Sequence, residues 1–261
     1  MRRLVISLCV AVFVSSLGAG QGLETPAKKT SLPSVPADRR KPSDLTIHVA
    51  VRNEQDVRFF NSFARPTNSA GFFERALDAG LLKELLPKIT RGFKLYNVAS
   101  IQYAKENEKE WAGKVQCLSY DHEEWEKTPR AEQMDPGEAA RQGSALAHAH
   151  GALFMASPSH QVCKRYAEAM AKHSDIFLIH CQGMLRDDPK QYVEYARELS
   201  TRLRKANPQV KVWLFLSARA KPEEMYDMTA KVCDCIDGLA IDAGKAGMRD
   251  LAPFLKLLRP Q

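Results

Sequence analysis

Residues 152–180, ALFMASPSHQVCKRYAEAMAKHSDIFLIH, decide the fold. The segment opens on a short apolar run, Ala152 to Ala156, and closes on a β-branched and aromatic run, Ile176 to His180. Between them Val162 to Lys172 has apolar residues at helical spacing. A strand, a helix and a second strand in that order make a βαβ unit, whose strands lie parallel. The same alternation extends in both directions. Toward the C-terminus the sequence predicts a helix over Pro189–Ala206, a strand over Val210–Leu216, a helix opened by Pro222, a strand over Ile236–Ile241 and a helix over Met248–Leu258. Proline suits the first turn of a helix, where its missing N–H has no intrahelical partner. Toward the N-terminus a helix is expected over Pro136–His148, and strands over Val115–Asp121, Phe93–Ala99 and Leu45–Val51. A charged helical piece is expected over Glu106–Trp111. Gly71 to Leu86 reads as an amphipathic helix, with Phe72, Phe73, Leu77, Leu81, Leu82 and Leu85 at helical spacing.

Seven strands alternating with helices fit an α/β fold, either an open doubly wound sheet or a (β/α)8-like TIM barrel. No G-x-G-x-x-G or Walker loop follows any strand, so nothing supports the dinucleotide-binding version of the open sheet. Polar residues gather just after the strands, at Asp121–Glu124, Ser157–His160, His180–Gln182 and Ser217–Arg219. A barrel places its active site at those strand ends, so the parallel barrel is the expected fold. Its eighth strand is sought within Val57–Phe63; otherwise the barrel is incomplete.

Upstream, residues 1–20 have a positive start (Arg2, Arg3), a predominantly apolar run from Leu4 to Leu17, and Gly18 and Gly20 at the −3 and −1 positions of a cleavage site. That is the layout of a signal peptide. Its apolar run is shorter than the roughly 20 residues of a membrane span. Secretion or a periplasmic location is therefore expected, with no stable membrane span once the leader is removed. Residues 21–43 are rich in Pro, Ser, Lys and Arg and have no apolar periodicity, so they read as a flexible linker. Residues 44–261 then form a single domain, expected to be a monomer.

The net charge of +7 is dispersed among many carboxylates. Without an aromatic-interleaved basic stripe it does not suggest a nucleic-acid partner. Of six cysteines, Cys9 lies in the leader. The other five contain no C-x-x-C pair, and a domain of this size folds on its core without a disulfide framework.

The sharpest polar cluster is Ser119-Tyr-Asp-His-Glu-Glu-Trp125. Asp121 and Glu123 are two residues apart at a strand end, so an extended backbone projects them to one side. Two adjacent carboxyl groups do not both ionise cheaply; one pKa rises, and that group can act as a general acid near neutrality. Trp125 offers an indole face to a sugar ring. The structural alternative is a pair of solvated loop carboxylates. His180 and Gln182 share a side by the same alternation, and with Tyr96, Asn97 and Asp242 they complete the expected substrate-binding rim. His148-Ala-His150 invites a metal reading, but the pair closes a helix before a strand, which puts it at the barrel bottom. His122 and His160 lie at the top and have no ligand set at recognisable spacing. No metal or cofactor is therefore expected.

The segment Leu118-Ser-Tyr-Asp-His-Glu-Glu-Trp resembles the D-x-E strand end of the family 18 glycoside hydrolases, the chitinase-like barrels. That resemblance implies Glu123 as the group that protonates the leaving oxygen and Asp121 as its partner. The two earlier aspartates of the family motif fall at Gln116 and Ser119, and Ile179-His-Cys-Gln182 stands where a Met-x-Tyr-Asp segment is expected. The Y-D-x-E pattern, followed by a strand ending in Gln, is also similar to a group of exported barrel proteins related to the glycosidases. Three functions follow as alternatives: a glycosidase-like barrel acting on an extracellular or cell-wall glycan, a non-catalytic carbohydrate- or envelope-binding barrel, and a phosphodiesterase-type barrel using His180.

Overall fold

The computed structural model describes residues 40–74, 80–218, 220–242 and 248–259. Eight parallel strands close into a barrel in sequence order: β1 Thr46–Ala50, β2 Ser69–Phe73, β3 Phe93–Val98, β4 Cys117–Tyr120, β5 Leu153–Ala156, β6 Ile176–Ile179, β7 Lys211–Ser217 and β8 Gly238–Asp242. Carrying the register from His48 through every pairing returns to position 40, eight residues back, a shear of 8. Eight strands at that shear make the TIM-barrel geometry, which side chains fill completely.

Two expectations are corrected here. Val57–Phe63 is not a strand but part of the helix Glu54–Phe63, started by Asn53, whose side chain accepts the Asp56 N–H at 3.0 Å. The missing strand is β2, at the start of the stretch read as a helix. Phe72 and Phe73 suit either period, and the inward position just before them is Gly71. A Cβ on Gly71 would lie 2.4 Å from Cε1 of His48. The glycine therefore makes room for the imidazole, which shares a 2.8 Å hydrogen bond between Nδ1 and Ser69 Oγ. The leader and most of the linker lie outside the described residues. Arg40, in the predicted linker, is docked on the barrel floor against Asp237 at 2.9 Å.

Alternation sorts each strand into two faces. Phe93, Leu95, Cys117, Leu153, Met155, Ile176, Leu178, Trp213 and Ala240 fill the barrel. Their neighbours pack outward against the helices, as Tyr96, Leu118, Phe154 and Phe177 do. Helix Pro189–Ala206 shows why the outer layer forms. Tyr192, Ala196, Leu199, Ser200 and Leu203 recur along one buried face, Asp188 caps its first turn, and Pro208 prevents continuation. Burial of each large apolar side chain on that face contributes about 1.5–3 kcal/mol.

The floor carries a repeated polar device. The residue just before each even-numbered strand accepts a backbone N–H at the start of the preceding strand. Asn68 takes Ile47 at 3.3 Å, Gln116 takes Lys94 at 2.9 Å, Asp175 takes Phe154 at 2.9 Å and Asp237 takes Val212 at 2.8 Å. Those donors would otherwise be buried without partners, a cost of about 1–3 kcal/mol each. Four polar residues thus anchor strand ends on the face opposite the mouth.

Candidate functional site

The C-terminal mouth is polar where the floor is anchored and the middle apolar. Following the inward positions of β3 to β6 upward gives Asn97, Asp121, Ser157 and His180. Asp121 sits one residue past β4, its N–H still bonded to Val98 O at 2.8 Å. Asn97 Nδ2 donates to Asp121 Oδ2 at 3.2 Å, while Asp121 Oδ1 is buried without a partner among the described residues. Burial pushes the Asp121 carboxyl up to about 7, and the charges of Glu123 and Glu74 add to the rise against the opposing Asn97 hydrogen bond.

Asp121 lines a cleft of 210 Å³ together with Phe73, Glu74, Asn97, Ala99, Trp125 and Lys127. That is below the ~300–1,000 Å³ of a drug-sized ligand site and suits one small ring. Trp125, 39% exposed, stands at its rim. Lys127 Nζ lies 5.4 Å from the indole centroid, a contact worth about 0.5–1 kcal/mol at an exposed ring.

The loop that carries these residues is tied down. Trp125 Nε1 donates to Thr128 Oγ1 at 3.1 Å, and the Thr128 hydroxyl donates to Ala99 O at 3.0 Å. Gln133 Nε2 donates to the carbonyls of Trp125 and Thr128 at 2.8 and 2.7 Å. Glu132 reaches across to accept the Ile101 and Gln102 N–H groups at 3.1 and 3.0 Å. It caps the helix Ile101–Glu106 with a carboxylate at the positive end of the helix dipole. His122 Nε2 is 3.1 Å from Glu132 O, so that histidine serves the loop.

Across the mouth, Ser157 Oγ lies 2.9 Å from His180 Nε2, and the imidazole packs on Phe215 with centroids 4.9 Å apart. Burial lowers the His180 pKa to about 4, with the charge of His160 adding to the effect, so the ring is neutral at physiological pH.

The structure thus brings Asp121, Asn97 and Trp125 into one cleft, with the half-buried Glu123 beside it. Tyr96 is a correction. It has the opposite parity to Asn97 and is fully buried in the layer between strands and helices, where no ligand in the mouth reaches it. Gln182 opens the short helix Gln182–Asp187 and Asp242 ends β8, both at the mouth end of the barrel; their side chains lie outside the described residues. His148 and His150 are on the floor side with separate partners, Asp175 at 2.6 Å and Glu108 at 3.1 Å. Among the described residues no group of three or more His, Cys, Asp or Glu is placed to hold a metal ion. Cys117, Cys163, Cys181, Cys233 and Cys235 are free thiols.

Sequence reading missed Phe73, Glu74 and Lys127. Recognising Ser69–Phe73 as a strand would have placed Phe73 and Glu74 at its mouth end. Lys127 carries no signal, because its position depends on how the loop folds back.

Fold and mouth define a parallel (β/α)8 barrel protein with an acidic, indole-rimmed cleft over β2 to β4. No family model matches the chain, and no curated protein matches it. Among solved structures it is similar to orotidine 5'-monophosphate decarboxylase from Sulfolobus solfataricus, at 9% identity and a TM-score of 0.47, over 82% of this chain and 94% of that one.

Proposed function

We propose that the mouth cleft binds a saccharide of an extracellular or cell-wall glycan and hydrolyses its glycosidic bond, with Asp121 as the proton donor. The observation that carries this reading is the Asp121 carboxyl, buried in the cleft beside an exposed indole and raised to about 7. A carboxyl that keeps its proton near neutrality while open to a cleft is what protonation of a leaving oxygen requires. The family resemblance implies the reverse order, with Glu123 as acid. Burial favours Asp121, and Glu123 becomes the neighbouring charge that helps hold the proton there. Asn97 orients the Asp121 carboxyl, and Trp125 is the stacking platform. Export, as the leader implies, puts the domain where such glycans are.

The test is release of reducing ends from oligosaccharides of glucose, xylose and N-acetylglucosamine, whose leaving sugar oxygen needs a proton, with calorimetric binding of the same oligosaccharides. Asp121→Asn is expected to lower turnover about 10²–10⁴-fold, the usual contribution of a general acid, while binding persists. Undiminished turnover in that variant overturns the reading.

A second reading is a barrel that binds saccharide without catalysis. Two observations favour it. Gln116, at one of the family's aspartate positions, is committed to the floor, and Lys127 lies over the Trp125 ring that a catalysed sugar would stack on. Binding on a glycan array with no release of reducing ends from the same glycans would decide for it.

A further inference from the structure

The barrel floor carries two arginines that no carboxylate neutralises. Arg65, in the turn before β2, donates from Nη1 to Ser43 O at 3.1 Å. Arg259, just past the helix Ala252–Leu258, donates from Nη2 to Leu45 O at 3.4 Å and to Asn68 Oδ1 at 3.3 Å. Arg65 is exposed and Arg259 half-buried. Among the described residues neither makes an ion pair.

Hydrogen bonds hold the two side chains to one small region. Their acceptors Ser43 O and Leu45 O are two residues apart, at most about 7 Å along an extended chain. Asn68 joins them from the other side: its N–H donates to Arg65 O at 3.0 Å, and its Oδ1 accepts from Arg259. Asn68 Nδ2 is a further buried donor with no partner among the described residues. Asp44 lies between the two acceptors, but its carboxylate is turned to the Lys41 N–H at 2.8 Å and the Ser43 hydroxyl at 3.5 Å.

Three other floor arginines are satisfied differently. Arg40, Arg197 and Arg204 donate to Ile236 O, Lys231 O and Cys235 O. Each also has a carboxylate: Asp237 at 2.9 Å for Arg40, Asp234 at 2.9 Å for Arg197 and Asp237 at 2.8 Å for Arg204. Arg65 and Arg259 have the carbonyls and no carboxylate. Burial and the Arg65 charge lower the Arg259 pKa to about 10, as expected of a desolvated cation beside a like charge. A half-buried charge of this kind is costly until an anion pairs with it.

We propose that Arg65 and Arg259 form a binding site for a phosphate group on the barrel floor. Each guanidinium presents its N–H donors in a planar fork, and each commits only one terminal nitrogen to the protein. The remaining edges match the oxygens of a tetrahedral anion, at charge-assisted distances of about 2.7–2.9 Å. Two positive charges balance a phosphate dianion, whereas a carboxylate balances one. The site is at the opposite end of the barrel from the Asp121 cleft, so both can be filled at once, and it does not rest on the hydrolytic reading.

The test is calorimetric titration of the full chain with inorganic phosphate, in phosphate-free buffer at constant chloride. Wild type should bind one phosphate per chain. Arg65→Gln, at an exposed position, should weaken binding about tenfold or more, the effect of losing a hydrogen bond to a charged group. Arg259→Lys, which keeps the charge and gives up the fork, should also weaken it. Phosphate should raise the melting temperature of wild type and leave that of Arg65→Gln nearly unchanged, because only a bound ligand stabilises by mass action. Vesicles containing phosphatidic acid, whose headgroup is a phosphate monoester, distinguish the sources: capture that depends on Arg65 assigns the site to a lipid headgroup, and phosphate binding without capture assigns it to a free phosphate. Release of reducing ends from oligosaccharides should be the same in Arg65→Gln as in wild type. No phosphate binding by wild type, or binding and melting shifts equal in wild type and both variants, overturns this inference and leaves the reading of the mouth cleft standing.

Discussion

Asp121→Asn should stabilise the fold at pH 8 and leave it nearly unchanged at pH 4. The carboxyl titrates near 4 in an unfolded chain and near 7 in the native barrel. Its folded pKa is raised, so between those values the native state holds a proton that the unfolded state has lost. Unfolding free energy then falls as pH rises through that window. Three pKa units at 1.36 kcal/mol each make the cost of keeping Asp121 ionised at pH 8 about 4 kcal/mol. An amide at this position carries no charge to desolvate and can still accept from Asn97 Nδ2. Allowing for imperfect hydrogen bonding by the new amide, the variant should gain about 2–4 kcal/mol at pH 8. Urea unfolding of wild type and variant at pH 4, 6 and 8 measures this, with equal denaturant slopes as the check that only stability has changed. An equal difference between the two proteins at every pH, or a variant less stable at pH 8, would refute the assignment of a raised pKa to Asp121. Stability gained where activity is lost is also the mark of a residue kept for function.

Three further outcomes follow from the same geometry. Glu123→Gln removes a like charge beside Asp121 and should lower the Asp121 pKa from about 7 toward the ordinary carboxylate range, as read from its side-chain carbon shift during a pH titration by NMR. Gly71→Ala puts a Cβ 2.4 Å from the His48 ring and should cost about 1–3 kcal/mol by overpacking; His48→Ala in the same chain should recover most of it in a double-mutant cycle. Asp237→Asn leaves the Arg40 guanidinium, only 6% exposed, without its carboxylate, and should cost about 3–5 kcal/mol in a thermal or urea unfolding series.

The parallel barrel was legible in the chain because seven of its strands are apolar runs set between helical periods, and helix Pro189–Ala206 can be read to the residue from its proline and apolar spacing. The eighth was not, because β2 reads Ser-Ala-Gly-Phe-Phe. It has no β-branched residue, and its central inward position is the glycine that a histidine from β1 requires, a demand set by a residue elsewhere in the chain. The placing of Asp121 and Glu123 together after β4 was legible from two-residue alternation, and the floor position of His148 and His150 from their place at a helix end before a strand. Alternation could not say which carboxyl keeps the proton. Burial raises the Asp121 pKa, and its surroundings, Asn97, Glu74 and Phe73, arrive from two other strands. Nor could it separate the aspartates and glutamine that anchor strand starts on the floor from the aspartate that faces the mouth. Sequence by itself determined that the strands are parallel and which of their ends carry polar residues, since both follow from local periodicity. Tertiary structure alone decided that the Asp121 carboxyl is desolvated and its pKa raised, that Tyr96 lies outside the mouth and that Ser157 bonds His180, because each depends on neighbours that the chain brings together only when the barrel closes.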